Sequence, residues 1–104
     1  MVTDENFDNE LNATDKFVLV DFFATWCGPC QVLGPIIERV AEELKDKVVL
    51  IKANVDEFPK TSEKFNISSI PAVFLFKNGK PVGNFVGLIP EHSIKEWLQN
   101  SIKN

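Results

Sequence analysis

Two signals meet in one stretch of this sequence, Phe17-Val18-Leu19-Val20-Asp21-Phe22-Phe23-Ala24-Thr25-Trp26-Cys27-Gly28-Pro29-Cys30. The segment 16–24 is almost continuously apolar and rich in β-forming residues, which is typical of a central strand covered on both faces. Cys27 and Cys30 follow it directly and are the only 2 cysteines of the chain. Residues three apart in the first turn of a helix share a face, so the two sulfurs can form a disulfide. Because so small a loop restrains little of the unfolded chain, the pair indicates redox chemistry rather than a structural bridge.

The residues that follow the cysteine pair predict a helix over 29–45. Its apolar side chains recur on one side, at Leu33, Ile36, Ile37, Val40, Ala41 and Leu44. Such a one-sided stripe is the pattern of an amphipathic helix packed against a core. Pro35 lies inside the stripe and removes one backbone hydrogen bond, so we expect the helix to bend there.

Three further strands are predicted after this helix. Residues 48–55 and 72–76 have the composition of buried strands, and Asn78-Gly79 predicts a hairpin turn into a last strand over 82–86. Pro81 places that last strand at a sheet edge, because proline has no N–H to donate to a neighbouring strand.

Helical patterns separate these strands. A first helix follows Thr3, which we expect to cap it, a short helix covers residues 59–65, and an amphipathic helix covers 91–102. The resulting order is helix, strand, helix, strand, helix, hairpin, helix. It predicts an α/β fold with a central mixed β-sheet flanked by helices on both faces. We expect residues 1–104 to form a single domain, since this length supports one hydrophobic core.

Composition and charge exclude some classes of function and partner. The chain is 44% apolar and 25% charged, as in soluble globular proteins, and its net charge is −4. This acidic balance disfavours a nucleic-acid or anionic-membrane partner, and no apolar stretch is long enough to span a bilayer. The first twelve residues are acidic and polar, unlike a secretory signal or a transit peptide. We therefore expect a cytoplasmic protein, although a mature organellar domain would look the same.

The chain resembles the thioredoxin family over essentially its whole length. The residues that carry the resemblance are Asp21, Trp26-Cys27-Gly28-Pro29-Cys30, Pro35, Lys52, Asp56, Ile70-Pro71, Gly79 and Gly87. A lone Cys-x-x-Cys is a weak signal, but this version followed by Ile-Pro is highly specific. The resemblance implies the thioredoxin fold with the family's first strand truncated to Met1 and Val2. Phe23 and Gln31 depart from the tryptophan and lysine that many members carry.

The resemblance also implies an activity and partners. We expect a general protein dithiol–disulfide oxidoreductase that needs no cofactor beyond its redox-active cysteine pair. It would be a monomer, reduce a broad range of client disulfides, and be re-reduced by a flavin-dependent thioredoxin reductase. No glycine-rich dinucleotide loop is present, so the flavin belongs to that partner.

The cysteines divide the catalytic work in this hypothesis. Cys27, at the start of the helix, attacks a substrate disulfide as a thiolate, which the helix N-terminus stabilises. Cys30 then resolves the mixed disulfide by attacking the Cys27 sulfur. Pro29 stiffens the first helical turn, and with Gly28 it is expected to tune the redox balance. Gln31 puts no cation beside the pair, so we expect a Cys27 pKa slightly above that of lysine-bearing relatives.

Asp21 is the candidate proton acceptor for Cys30. It interrupts an apolar strand, so we expect it to be buried, and burial raises the pKa of a carboxyl group toward neutrality. A general base that works near pH 7 needs such a pKa. The resemblance makes Lys52, in the neighbouring strand, the partner of this carboxylate. The alternative interpretation is a buried Asp–Lys pair with a purely structural role.

A substrate-binding surface is expected around Cys27. The resemblance implies a cis Ile70-Pro71 bond packed against the cysteine pair, with Ile70 backbone groups free to pair with an extended substrate. Trp26, Val86 and Gly87 complete this surface in the hypothesis, and the glycine allows close backbone approach. Asp56 is interpreted as a turn or capping carboxylate, and His92 as a solvated surface side chain.

Three alternative functions remain open from the sequence. An oxidase or isomerase would usually carry a different pair of residues between the cysteines, together with an export signal. A binding subunit could use the apolar surface without redox turnover, but it would not need Cys30 and Asp21. A zinc site is the weakest alternative, because two thiols and one distant histidine fall short of four ligands.

Overall fold

A computed structural model describes residues 2–103 of the chain and gives the predicted order of elements. In sequence these are α1 (Phe7–Asn12), β1 (Phe17–Phe23), α2 (Gly28–Glu43), β2 (Val48–Asn54), α3 (Pro59–Lys64), β3 (Ala72–Lys77), β4 (Lys80–Val86) and α4 (Glu91–Ser101). Helix α2 is a single element with Pro35 inside it. The predicted α/β class is confirmed.

The sheet has the strand order β2-β1-β3-β4. Strands β1 and β2 are parallel and are connected through α2, whereas β3 runs antiparallel to both β1 and β4. Asn78 and Gly79 form the β3–β4 turn with φ values of 52° and 81°, the left-handed conformation that a two-residue hairpin turn requires. Strand β4 lies at the sheet edge, as Pro81 predicts. Within residues 2–103 no strand precedes α1.

The two faces of the sheet carry separate cores. Side chains of β1 alternate, so Val18, Val20 and Phe22 contact a cluster that includes Phe7 and Leu11 of α1. Leu19 belongs to the opposite cluster, which α2 and α4 cover with Leu33, Ile37, Val40, Ile94 and Leu98. Asp21 lies two residues after Leu19 on β1, so its side chain is on the same face of the sheet and points toward α2. This alternation puts one carboxylate beneath the helix that carries both cysteines.

The predicted cap of α1 is wrong. Asn6, not Thr3, occupies the N-cap position, and its Oδ1 accepts a hydrogen bond from the Thr3 N–H at 2.7 Å. Asp4 instead caps α3: its carboxylate accepts bonds from the N–H groups of Lys60 and Thr61 at 3.0 Å and from Thr61 Oγ1 at 2.7 Å. The N-terminal segment is thus engaged by a helix more than fifty residues away, which local sequence patterns do not reveal.

Candidate active site

Cys27 is the N-cap residue of α2. Its backbone is extended, with φ −93° and ψ 112°, and its Sγ accepts a hydrogen bond from the Cys30 N–H at 3.2 Å. A capping side chain normally offers oxygen to this N–H, and here sulfur takes that place. The same N–H and the positive end of the helix dipole stabilise negative charge on Sγ when the disulfide is reduced.

Cys27 and Cys30 form a disulfide with a Cα–Cα distance of 5.3 Å. The first cysteine is 7% exposed and the second 3%, and both belong to a small buried cluster with Ala24, the residue that follows β1. Cys27 is therefore the slightly more exposed of two buried residues, and its assignment as the first sulfur to react stays a prediction.

Trp26 is the most exposed large apolar residue beside the disulfide, at 70%. Its indole Nε1–H donates a hydrogen bond to Asp56 Oδ2 at 2.9 Å. Asp56 is itself held in a tight turn, where its N–H donates to Asn54 Oδ1 at 2.9 Å. Sequence reasoning identified Asp56 as a turn residue but missed its contact with Trp26, because thirty residues separate the two.

The Ile70–Pro71 peptide bond is cis. The carbonyl oxygen of Ile70 lies 3.9 Å from Cys27 Sγ. Within residues 2–103, Ile70 makes no backbone–backbone hydrogen bond, whereas the adjoining Pro71 carbonyl accepts the Gly87 N–H at 2.8 Å. The structure therefore brings this loop, the disulfide and the end of β4 together, and leaves the Ile70 backbone available for pairing.

Gly87 and Val86 border the same loop from β4. Gly87 has φ +92°, a conformation that residues with a side chain rarely adopt, and nothing lies within 4 Å of where its Cβ would be. Val86 is 53% exposed. Gly28 and Pro29 are exposed as well. We call Trp26, Gly28, Pro29, Ile70, Val86 and Gly87 the disulfide patch.

Two exposed apolar residues next to this surface were not predicted from the sequence. Val32 follows Cys30 by two positions on α2, and Leu88 follows Gly87. In the sequence, each of them is a single apolar residue on an otherwise polar helix face or loop. The sequence alone does not distinguish such an exposed residue from one that is buried in the core.

Asp21 is buried, at 1% exposure, and neither carboxylate oxygen accepts a hydrogen bond from the described part of the chain. Burial raises its pKa from 3.8 to about 6, the charge of Lys52 opposes this rise, and the charge of Glu38 adds to it. Its strand neighbours are Lys52 in β2 and Val73 in β3.

Lys52 lies opposite Asp21 in the parallel ladder, as the sequence suggested, but its ammonium pairs elsewhere. Nζ donates to Glu38 Oε2 at 2.8 Å and lies 5.2 Å from the centre of the Phe23 ring. Lys52 acts on Asp21 through space rather than through a direct ion pair. The sequence did not indicate Glu38.

Gln31 connects α2 to the end of β1. Its Nε2 donates to the carbonyl oxygens of Ala24 and Thr25, both at 3.4 Å. The Cys27 N–H also donates to the Ala24 carbonyl, at 3.3 Å. Gln31 therefore stabilises the loop that leads into the cysteines. As a neutral residue it also leaves the cysteine pair without an adjacent cation.

Across residues 2–103 no three His, Cys, Asp or Glu side chains come together in an arrangement that could hold a metal ion. None of the described helices is both long and apolar enough to cross a bilayer.

Comparison with known proteins identifies the class to which this fold and site belong. The family model described as Thioredoxin matches residues 1–100. A thioredoxin of Rickettsia prowazekii (strain Madrid E) is 48% identical over 97% of this chain and 96% of its own length. A thioredoxin of Chlorobaculum thiosulfatiphilum is 44% identical over 96% of the chain and 93% of its own length. The more distant Thioredoxin Y2, chloroplastic, of Arabidopsis thaliana is 42% identical over 97% of the chain and 60% of its own length.

The chain belongs to the thioredoxin family. The family and the Cys27–Cys30 disulfide establish it as a thiol–disulfide oxidoreductase with a redox-active disulfide.

Proposed function

We propose that this chain is a general protein-disulfide reductase of the cytoplasm. It accepts electrons from a flavin-dependent thioredoxin reductase and passes them to a broad range of client proteins as a monomeric, single-domain carrier without a bound cofactor. The observation that carries the proposal is the position of Cys27, whose sulfur caps α2 beside an exposed apolar surface.

Cys27 is the nucleophile in this mechanism. In the reduced protein its thiolate is stabilised by the Cys30 N–H and the start of α2, where Gly28 and Pro29 form the first turn. It attacks one sulfur of a client disulfide, forms a Cys27–client disulfide and releases the other client sulfur as a thiolate. Pro29 and Gly28 tune the balance between dithiol and disulfide by fixing the geometry of this turn.

Cys30 completes the reaction with help from Asp21. The Cys30 thiol gives its proton to the Asp21 carboxylate, and the resulting thiolate attacks Cys27 Sγ. The Cys27–Cys30 bond forms, the Cys27–client bond breaks, and its electron pair leaves on the client sulfur. A pKa of about 6 keeps Asp21 largely ionised at pH 7 yet more basic than an ordinary carboxylate. Lys52 moderates that basicity through its charge.

Clients bind through the disulfide patch together with Pro71. An extended client segment pairs with the Ile70 backbone, which makes no backbone–backbone hydrogen bond within the described residues, while Trp26 and Val86 contact its apolar atoms. Gly87 presents no side chain there, so the client backbone can approach closely. Recognition by backbone and shape gives broad rather than narrow specificity.

Insulin reduction driven by dithiothreitol tests the assigned activity. We expect the wild type to catalyse it, and Cys27→Ser and Cys30→Ser to be inactive. Cys30→Ser should also accumulate a Cys27–client disulfide that mass spectrometry detects. A folded wild type without catalysis would favour a binding subunit that uses the same surface without turnover. Equal trapping by both variants would contradict the assigned order of attack.

A further inference from the structure

Asp21 lies next to a cation that does not pair with it. The carboxylate is buried, it accepts no hydrogen bond from residues 2–103, and Lys52 is its in-register neighbour on β2. In parallel strands, neighbours in register point to the same side of the sheet. A direct ion pair between the two side chains would be the expected way to stabilise a buried carboxylate.

The ammonium of Lys52 is held against α2 instead. Glu38 Oε2 accepts its hydrogen bond at 2.8 Å. A Cβ on Gly34 would lie 3.4 Å from Nζ, so this glycine leaves the space in which the ammonium rests. The centre of the Phe23 ring lies 5.2 Å from Nζ.

We propose that Glu38 is a positioning residue for the proton-transfer step, because it draws the Lys52 ammonium toward α2 and away from the Asp21 carboxylate. This inference rests on the proposed role of Asp21 as proton acceptor. Within residues 2–103 Glu38 makes no hydrogen bond or ion pair with either cysteine, so its effect would pass through Lys52, to which it is bonded.

The charges of Lys52 and Glu38 each act directly on Asp21, so an effect of Glu38 through Lys52 has to be separated from the repulsion between the two carboxylates. Of the elements packed on it, β2 contributes Lys52, α2 contributes Glu38, and its β3 neighbour Val73 is uncharged. Lys52 lowers the pKa of Asp21 and Glu38 raises it. An ammonium that moved into hydrogen-bond distance of Asp21 would stabilise the ionised carboxylate further and make it a weaker base.

The chemical consequence falls on the resolving step. A weaker base accepts the Cys30 proton less readily, so fewer Cys30 thiolates form per encounter and the mixed disulfide persists longer. The first attack, by Cys27, requires no proton transfer to Asp21 and should be unaffected. Replacing Glu38 should therefore slow the resolving step by Cys30 and leave the first attack by Cys27 unchanged. This difference provides a specific test.

The test is a pH titration of Asp21 in the oxidised protein, followed by carboxyl carbon NMR, in wild type and Glu38→Gln. We expect the Asp21 midpoint to fall by about half a pH unit in Glu38→Gln, the scale of a partly exposed ion pair. Glu42→Gln is the matched control: it lies on the same helix, pairs with Lys45 at 3.4 Å and should leave the midpoint unchanged. An unchanged midpoint in Glu38→Gln would overturn the proposal.

A Lys52→Gln background separates positioning from direct repulsion between the two carboxylates. If Glu38 acts by holding Lys52, Glu38→Gln should shift the Asp21 midpoint much less once Lys52 is absent. An equal shift in both backgrounds would overturn the positioning role, because simple repulsion does not need the lysine.

Single-turnover decay of a Cys27 mixed disulfide distinguishes this inference from the proposed function. We expect the pH profile of its decay to move with the Asp21 midpoint in Glu38→Gln. If the midpoint moves and the profile does not, Glu38 still positions Lys52, but Asp21 is not the proton acceptor. That outcome would overturn the role of Glu38 in proton transfer while leaving the cysteine assignments intact.

Discussion

The indole of Trp26 is tied to Asp56: Nε1 donates to Oδ2 at 2.9 Å across a sequence separation of 30 residues. Trp26 is otherwise exposed, so this bond fixes the orientation of a large apolar ring directly before Cys27. If Trp26 contacts clients as proposed, a side chain so placed would do so in one arrangement rather than many, which reduces the entropy lost on binding.

Asp56→Ala should therefore weaken client reduction. We expect kcat/KM for insulin reduction to fall by about twofold to twelvefold, the effect of about 0.5–1.5 kcal/mol for one hydrogen bond. Asp56→Asn keeps a carbonyl acceptor and should restore much of the loss. Glu57→Ala is the matched control, since within residues 2–103 the Trp26 indole N–H donates to Asp56 and not to the neighbouring Glu57. Equal activity of Asp56→Ala and wild type would show that the bond does not matter for binding.

Asp21→Asn should stabilise the oxidised protein at pH 7. Because burial raises the pKa of Asp21 from 3.8 to about 6, the folded protein retains a proton that the unfolded chain releases. The contribution of this group is fully present below pH 3.8 and is lost as the pH rises through about 6. At pH 7 the loss is about 3 kcal/mol, at about 1.4 kcal/mol per pKa unit.

Urea unfolding at several pH values measures this effect. We expect Asp21→Asn to exceed the wild type in stability by about 1–3 kcal/mol at pH 7 and by little near pH 4. The same variant should resolve mixed disulfides more slowly, because an amide cannot accept the Cys30 proton. A stability difference that is the same at both pH values would contradict the burial of an ionised carboxylate.

Asp4→Ala should loosen the junction between the N-terminal segment and α3. It removes the acceptor of three hydrogen bonds, from the N–H groups of Lys60 and Thr61 and from Thr61 Oγ1. Loss of a helix cap destabilises a protein by about 0.5–2 kcal/mol, and urea unfolding at pH 7 should show a change of this size.

The pH dependence of this contact has the opposite sign to that of Asp21. Its small burial raises the pKa of Asp4, but the hydrogen bonds from Thr61 and Lys60 outweigh it and hold the pKa below 3.8. The stabilisation is therefore present above pH 3.8 and is lost as the pH falls through the lowered value. Asp4→Asn, which keeps one acceptor oxygen, should lose less stability than Asp4→Ala. A variant as stable as the wild type at pH 7 would show that the cap is dispensable.

Gln31→Lys tests the electrostatics of the nucleophile. A cation one residue after Cys30 favours the Cys27 thiolate, so the midpoint of thiolate formation, followed by absorbance at 240 nm, should fall by about half a pH unit. Gln31→Met supplies a control without charge that also lacks the bonds to the Ala24 and Thr25 carbonyls. If both variants shift the midpoint equally, loss of the Gln31 hydrogen bonds explains the shift, and the charge of the introduced lysine does not.

Several contacts between distant segments could not be predicted from the sequence. The apolar run of β1 predicted a buried Asp21, and the parallel register places Lys52 opposite it. The pairing of Lys52 with Glu38, however, depends on where α2 crosses the sheet and on the room beside Gly34. The same holds for Trp26 with Asp56 and for Asp4 with Thr61, whose partners lie on separate segments.

The sequence by itself determined the order of strands and helices, the hairpin at Asn78-Gly79, and the cysteine pair at the start of α2. Those features follow from local periodicity, from the few residues that tolerate positive φ, and from spacing within one helical turn, all of which act over a few residues. Only the tertiary structure decided which hydrogen-bond or ion-pair partner each charged side chain has. Such partners are chosen by the packing of distant segments, and long side chains such as Lys52 can reach more than one acceptor.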